Sequence, residues 1–205
     1  MICYNGALIT QGGNVKSSTT MEIGLVEALI HIAKKYQIHV GLYYKDEWYA
    51  DKNTDLIQNE IYCTRCTPLF RETPDTIADF HQRKIGIHKI MLMGLKTALD
   101  RIYPELKKAF GTALQLYRST NNILEVNPGS VTKLSANQSL LTNSQSLEQV
   151  IAFGDNYNDI EMLQKVGLGV AVGNARKEVK AAADKITLAN TEDGVAYYIK
   201  NYLMT

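Results

Sequence analysis

Between residues 150 and 202, short apolar runs alternate with helical segments, and this rhythm limits the chain to few folds. Residues 150–153 read as an apolar strand and 159–166 as a helix. A strand at 169–172, a helix at 176–183, a strand at 185–188 and a helix at 193–202 follow. Strand and helix alternating through short connections imply a parallel sheet with crossover helices.

The other two thirds have a different character. Residues 2–10, ICYNGALIT, suggest a strand carrying an Asn5-Gly6 turn or bulge signal. Ile23, Val26, Leu29, Ile30 and Ala33 recur at helical spacing, so 21–36 is a predicted helix. Residues 38–44 and 85–93 read as strands, and 114–119 and 123–126 as two more. Leu95, Ala98, Leu99 and Ile102 mark a helix that Pro104 interrupts or restarts. A change of character falls within 117–131.

Composition narrows the function classes. The chain has 205 residues, which suits one large domain or two small ones. Lys plus Arg is 22 and Asp plus Glu is 21, for a net charge of +1. That balance argues against a nucleic-acid binder, while leaving room for a small basic pocket. No apolar run approaches the ~18 residues of a membrane helix, and the N-terminus lacks the basic region of a signal peptide. Three cysteines make no disulfide framework, so the expected location is the cytoplasm, with reduced thiols.

The chemistry concentrates at 150–163, VIAFGDNYNDIEML. The apolar strand runs into Gly154-Asp155, and Asp159 follows at a helix start. Ligands of parallel sheets sit beyond the strands' carboxyl ends, so Asp155 would project into that crevice. Hard carboxylate oxygens there suit Mg²⁺, which commonly takes one or two carboxylates plus phosphate and water. The alternative is that Asp155 and Asp159 simply cap the helix. Lys133, in NPGSVTK, is either a solvated loop lysine or a cation that neutralises phosphate charge in a transition state.

These stretches resemble the haloacid dehalogenase superfamily phosphatases of the Cof type. LEVNPGSVTK (124–133), FGDNYNDIEML (153–163), GVAVGNA (169–175) and ANTEDGVAYYI (189–199) carry the resemblance, with ICYNGALI (2–9) at the start. It implies an α/β fold: a Rossmann-like core, incomplete at the N-terminus, with an inserted α+β cap. Residues 1–19 would be a core segment, 20–116 the cap and 117–205 the rest of the core. The implied activity is Mg²⁺-dependent hydrolysis of small phosphorylated metabolites, sugar phosphates first. Asp155 would ligate Mg²⁺, and Lys133 would bind the transferring phosphate. Asn158 would contact phosphate, and Asp159 would hold Lys133 or join the metal shell. Asn5 would lie near the cap hinge and substrate, while Asn174 would be structural.

Two departures qualify that expectation. The family's nucleophile lies in a D-x-D-G-T segment, and none occurs in these 205 residues. The Asp that becomes phosphorylated and its acid/base partner would then lie on a segment this chain lacks. Little turnover is expected from the chain alone, and a non-catalytic remnant binding phosphate ligands or a partner is the alternative. Secondly, Leu134 replaces the usual Gly after the lysine, and Ser, Asn, Gln and Thr crowd 135–146. These residues disfavour helix interiors, so Lys133 is open to misplacement and its helix to fraying.

Elsewhere the expectations are plainer. The YYKDEWY run at 43–49 reads as a packed surface hairpin or as a sugar- or base-contacting edge. Cys63-Thr-Arg-Cys66 lacks the second pair a structural zinc site needs. His31, His39, His81 and His88 show no ligand spacing, and the basic run 81–89 reads as a solvated face.

Overall fold

The computed structural model describes residues 1–204 and divides into two units, Met1–Val131 and Thr132–Thr205. The first unit contains β1 (Ile2–Cys3), β2 (Leu8–Gln11), β3 (Asn14–Ser18), α1 (Ile23–Lys34), β4 (His39–Tyr44) and β5 (Glu47–Ala50). It continues with α2 (Asp55–Thr64), β6 (Leu69–Phe70), α3 (Thr73–Arg83), β7 (Lys89–Met93), α4 (Lys96–Phe110), β8 (Leu114–Thr120) and β9 (Ile123–Pro128).

Six strands form one sheet in the order β6-β5-β4-β7-β9-β8, antiparallel except for the β5–β6 pair. Strand alternation sorts its two faces. Val40, Leu42, Ile90, Leu92, Leu124 and Val126 pack with Leu29 of α1, Phe80 of α3 and Ile102 of α4. Tyr43, Trp48, Met91, Met93 and Ile123 face the other way, against Ile57 of α2. The aromatic run at 43–49 is therefore chiefly packing: Tyr43, Trp48 and Tyr49 are buried, and Trp48 stacks on Tyr43 at 5.4 Å. Because β9 pairs with β7 (Ile90↔Val126), both β8 and β9 belong to this sheet. The boundary read at residue 117 falls inside β8.

Three local expectations change. The strand read at 2–10 is two short strands folded on each other, with Cys3 opposite Leu8. Asn5 between them has φ 55°, a left-handed conformation that Asn tolerates, and Gly6 follows at φ 107°. The turn signal thus outweighs the apolar run. Pro104 does not stop its helix, because α4 runs unbroken from Lys96 to Phe110. A mid-helix proline costs about 3 kcal/mol, which the complete burial of Leu99, Ile102 and Leu106 opposes.

The basic run 81–89 is not a solvated face throughout. Arg83 grips Glu47 with two bonds, at 2.6 and 2.7 Å, and Asp79 with a third at 3.1 Å, tying α3 to β5. His88 is fully buried and stacks against Tyr4 and Tyr44. Its Nδ1 accepts from the Lys45 amide at 3.2 Å, so Nε2 carries the proton and faces Ser18 Oγ at 2.9 Å.

The second unit contains α5 (Lys133–Leu140), β10 (Ile151–Gly154), α6 (Ile160–Lys165), β11 (Leu168–Ala171), α7 (Lys177–Ala182), β12 (Lys185–Ile186) and α8 (Gly194–Tyr198). Its sheet is parallel, in the order β10-β11-β12, with helices as crossovers. Leu134, Ala152, Leu163, Ala171, Ala175 and Val179 form its core. This is the Rossmann-like α/β arrangement that the strand–helix rhythm implies. No helix among the described residues is long and apolar enough to cross a membrane.

Burial, and secondarily the nearby Lys45 cation, push the His88 imidazolium down to about 4. An unfolded chain protonates this residue near pH 6.5. As pH falls, the unfolded state therefore takes up the proton first. The stability contributed by neutral His88 is complete above about pH 6.5 and lost on the way to about pH 4, amounting to ~3 kcal/mol. Urea unfolding at pH 7, 5.5 and 4 should show His88→Phe losing less stability than the parent across that window. Parallel losses in both proteins would exclude this role.

Candidate active site

In the second unit, the 150–163 motif folds around one buried carboxylate. Strand β10 ends at Gly154, Asp155 is exposed just beyond it, and a 3-10 turn, Tyr157–Asp159, leads into α6. Asp159 is only 2% exposed. Its Oδ2 accepts the backbone N–H of Asp155 at 3.0 Å and of Asn156 at 3.1 Å. Its Oδ1 accepts from Lys133 Nζ at 2.6 Å. Two amides and a cation together satisfy a charge that would otherwise be costly to bury.

Glycine is required next to this carboxylate. A Cβ on residue 154 would lie 2.5 Å from Asp159 Cβ and 2.9 Å from its Cγ. Gly154 thus lets the strand end pass directly over the Asp159 side chain.

Lys133 arrives by a short, well-capped route. It is the first residue of α5, whose preceding Thr132 accepts the Ser135 N–H on its side chain at 3.1 Å. Ser135 Oγ in return accepts the Thr132 N–H at 2.9 Å, closing a capping box. Buried Leu134 and Ala136 anchor the helix into the unit's core. The polar residues after Lys133 shorten α5 to eight residues without displacing the lysine. One of its three ammonium donors is committed to Asp159, and the side chain remains about one-third exposed.

The remaining expected residues separate into two groups. Asn158 lies within the same 3-10 turn, half-buried. Asn174 is in the loop after β11, where its Oδ1 accepts the Asn190 N–H at 2.8 Å. Asn5 belongs to the first unit, where Nδ2 donates to Asn127 Oδ1 at 2.8 Å and Glu125 Oε2 at 3.1 Å. Asn127 is fully buried and donates to the Tyr4 carbonyl at 3.1 Å. Cys63 and Cys66 are exposed free thiols near the end of α2.

Sequence reading missed Arg176, which precedes α7 and binds Asn156 Oδ1 through Nε at 2.8 Å. No spacing rule links it to the motif, since it is brought there only by the β10–β11 pairing.

As a donor set, this turn offers a cation one free-standing carboxylate, Asp155. Both oxygens of Asp159 accept hydrogen bonds that position Lys133 and the turn, so any part it takes in a metal shell would be shared with that duty. Among the described residues, no three His, Cys, Asp or Glu side chains gather as a metal cluster. One carboxylate still fits Mg²⁺, which keeps most of its shell as water and phosphate oxygens.

Removing Lys133 should cost about 3 kcal/mol, because the buried Asp159 charge is left without its counter-ion, and removing Asp159 should cost less, because Lys133 is about one-third exposed. Lys133→Ala and Asp159→Asn should each lower the urea midpoint, and the double variant should lose markedly less than their sum. Strict additivity would show that the two side chains do not interact. Gly154→Ala should destabilise in the same assay by ~1–3 kcal/mol through overpacking against Asp159.

The chain is similar to proteins of one known family. The family model of haloacid dehalogenase-like hydrolases matches residues 1–199. A Haemophilus influenzae protein is 45% identical over 114 residues, covering 55% of this chain and 43% of the relative. The 5-amino-6-(5-phospho-D-ribitylamino)uracil phosphatase YcsE of Bacillus subtilis is 34% identical over 134 residues, covering 65% of this chain and 51% of that protein. The matches thus span about half the length of these relatives. The crystal structure of a haloacid dehalogenase-like hydrolase from Bacteroides thetaiotaomicron superposes with a TM-score of 0.81 at 31% identity, covering 96% of this chain and 74% of the other. The chain belongs to the haloacid dehalogenase-like hydrolase family.

Proposed function

We propose that this chain carries the metal- and phosphate-binding end of a Mg²⁺-dependent phosphatase for small phosphorylated metabolites, acting in the cytoplasm. The observation that carries the reading is the Lys133–Asp159 bridge, set beside the exposed Asp155 carboxylate at the end of β10. Asp155 would hold the cation. Mg²⁺ there would screen the repulsion between an attacking carboxylate and the phosphate. Lys133, fixed by Asp159, directs its two uncommitted N–H donors to the phosphate oxygens and opposes the charge developing on them. Asn158, on the same turn, would add a further contact to phosphate. Asn5, which holds the β1–β2 turn of the first unit through Asn127 and Glu125, would serve near the cap hinge and the substrate.

The nucleophile of this reading is an Asp on a D-x-D-G-T segment that the 205 residues do not include. The phosphoryl group would pass to that Asp as an aspartyl-phosphate as the P–O ester bond breaks and the protonated alcohol leaves, and water would then release inorganic phosphate. Sugar phosphates lead the substrate classes, with nucleotide and cofactor phosphates behind them. The name of the Bacillus subtilis relative, a phosphatase of a ribityl-bearing pyrimidine, supports a small phosphorylated metabolite. Residues 20–116, within the first unit, would be the cap that selects among substrates. The near-neutral charge supports a small ligand over nucleic acid. A second reading rests on the same missing segment: a non-catalytic remnant that binds phosphate ligands or a partner protein.

Hydrolysis of p-nitrophenyl phosphate separates the two. The 205 residues alone should turn over little. A protein extended by upstream codons encoding D-x-D-G-T should hydrolyse the ester with Mg²⁺, and Asp155→Asn or Lys133→Ala should lower kcat/KM ~10²-fold or more. Phosphate binding without turnover, from a gene whose upstream codons hold no such segment, would establish the remnant.

A further inference from the structure

We propose that Arg176 is a positioning residue for divalent-cation binding, locking the 155–157 turn so that the Asp155 carboxylate is held in place for the cation. The proposal rests on the reading that Asp155 is the cation's protein ligand. Arg176 grips three consecutive residues in three ways. Its backbone N–H donates to the Asp155 carbonyl at 3.1 Å. Its Nε donates to Asn156 Oδ1 at 2.8 Å. Its guanidinium lies 4.7 Å from the centroid of the Tyr157 ring.

These grips complement those of Asp159. Asp159 holds the turn by the N–H groups of residues 155 and 156. Arg176 holds it by the residue 155 carbonyl and the Asn156 side chain. The Asn156 side-chain oxygen also accepts the Tyr157 N–H at 2.9 Å, so one atom joins Arg176 to the turn's backbone. Buried Ala175 on one side and fully buried Val179 of α7 on the other anchor the arginine's own backbone. The planar guanidinium can stack its face on a ring while its edge donates hydrogen bonds, a geometry a lysine ammonium does not share.

Charge alone predicts the opposite effect to positioning. A guanidinium near a bound divalent cation repels it, so deleting that charge should tighten binding. If Arg176 positions Asp155, deleting it should weaken binding, as loss of outer partners of metal ligands typically does by about 10–100-fold. The sign of the change therefore discriminates the two roles.

The test uses the 205-residue chain and Mn²⁺ as probe, with free ion counted by electron paramagnetic resonance. The parent should bind one Mn²⁺, and Asp155→Asn should abolish that binding. Arg176→Met should weaken it ~10-fold, with Arg176→Lys weakened less. Asn156→Ala removes the acceptor while keeping the charge, and should weaken binding too, non-additively with Arg176→Met. Thermal midpoints of the variants show that each is folded, and Arg176→Lys carries the test if Arg176→Met is not. Unchanged or tighter binding in the Arg176 variants, with the Asp155 dependence intact, overturns the positioning role and leaves the metal reading standing. Absence of any Asp155-dependent binding in the parent overturns both.

Discussion

The buried carboxylate of Asp159 is the constraint on which the candidate site depends. A charge with 2% exposure is tolerated only if its oxygens are met by donors. The chain supplies two amides from the turn itself and an ammonium from α5, 26 positions earlier. One interaction thereby sets the shape of the 155–159 turn, the position of Lys133 and the direction in which β10 ends. Gly154 follows from the same constraint, because any side chain there would occupy the space of Asp159.

That division of labour separates two acids the motif makes look equivalent. Asp159 is consumed by structure, so its contribution to chemistry passes through Lys133. Asp155 is exposed and free of such duties, which is why the proposed cation is assigned to it. Arg176 and Asp159 then hold opposite sides of one short turn, the arrangement expected where a single carboxylate must be preorganised.

Much of this was legible in the sequence, for physical reasons. The strand–helix rhythm of the last third is local, and each apolar run reports its own burial. The GDNYND stretch is contiguous, so its residues must share one strand end. The Lys133–Asp159 contact is not local; resemblance suggested it, while composition could not. Arg176 was invisible, because only the parallel pairing of β10 with β11 brings its loop beside Asn156. The errors have the same origin. The basic run 81–89 gave no hint that His88 would be walled in by Tyr4 and Tyr44, residues far from it in sequence. Pro104 reads locally as a point where the helix is interrupted or restarted, whereas α4 runs through it because the burial of Leu99, Ile102 and Leu106 opposes the local penalty.

In the proposed site, Asp155 and Lys133 form the cation- and phosphate-binding poles. Crystals soaked with Mn²⁺ and tungstate, an oxyanion that mimics phosphate, would test it through the two anomalous signals. Mn²⁺ should sit on an Asp155 oxygen and tungstate within hydrogen-bond distance of Lys133 Nζ, with the Asp159 bridge intact. Mn²⁺ seated elsewhere, or tungstate bound away from Lys133, would contradict it.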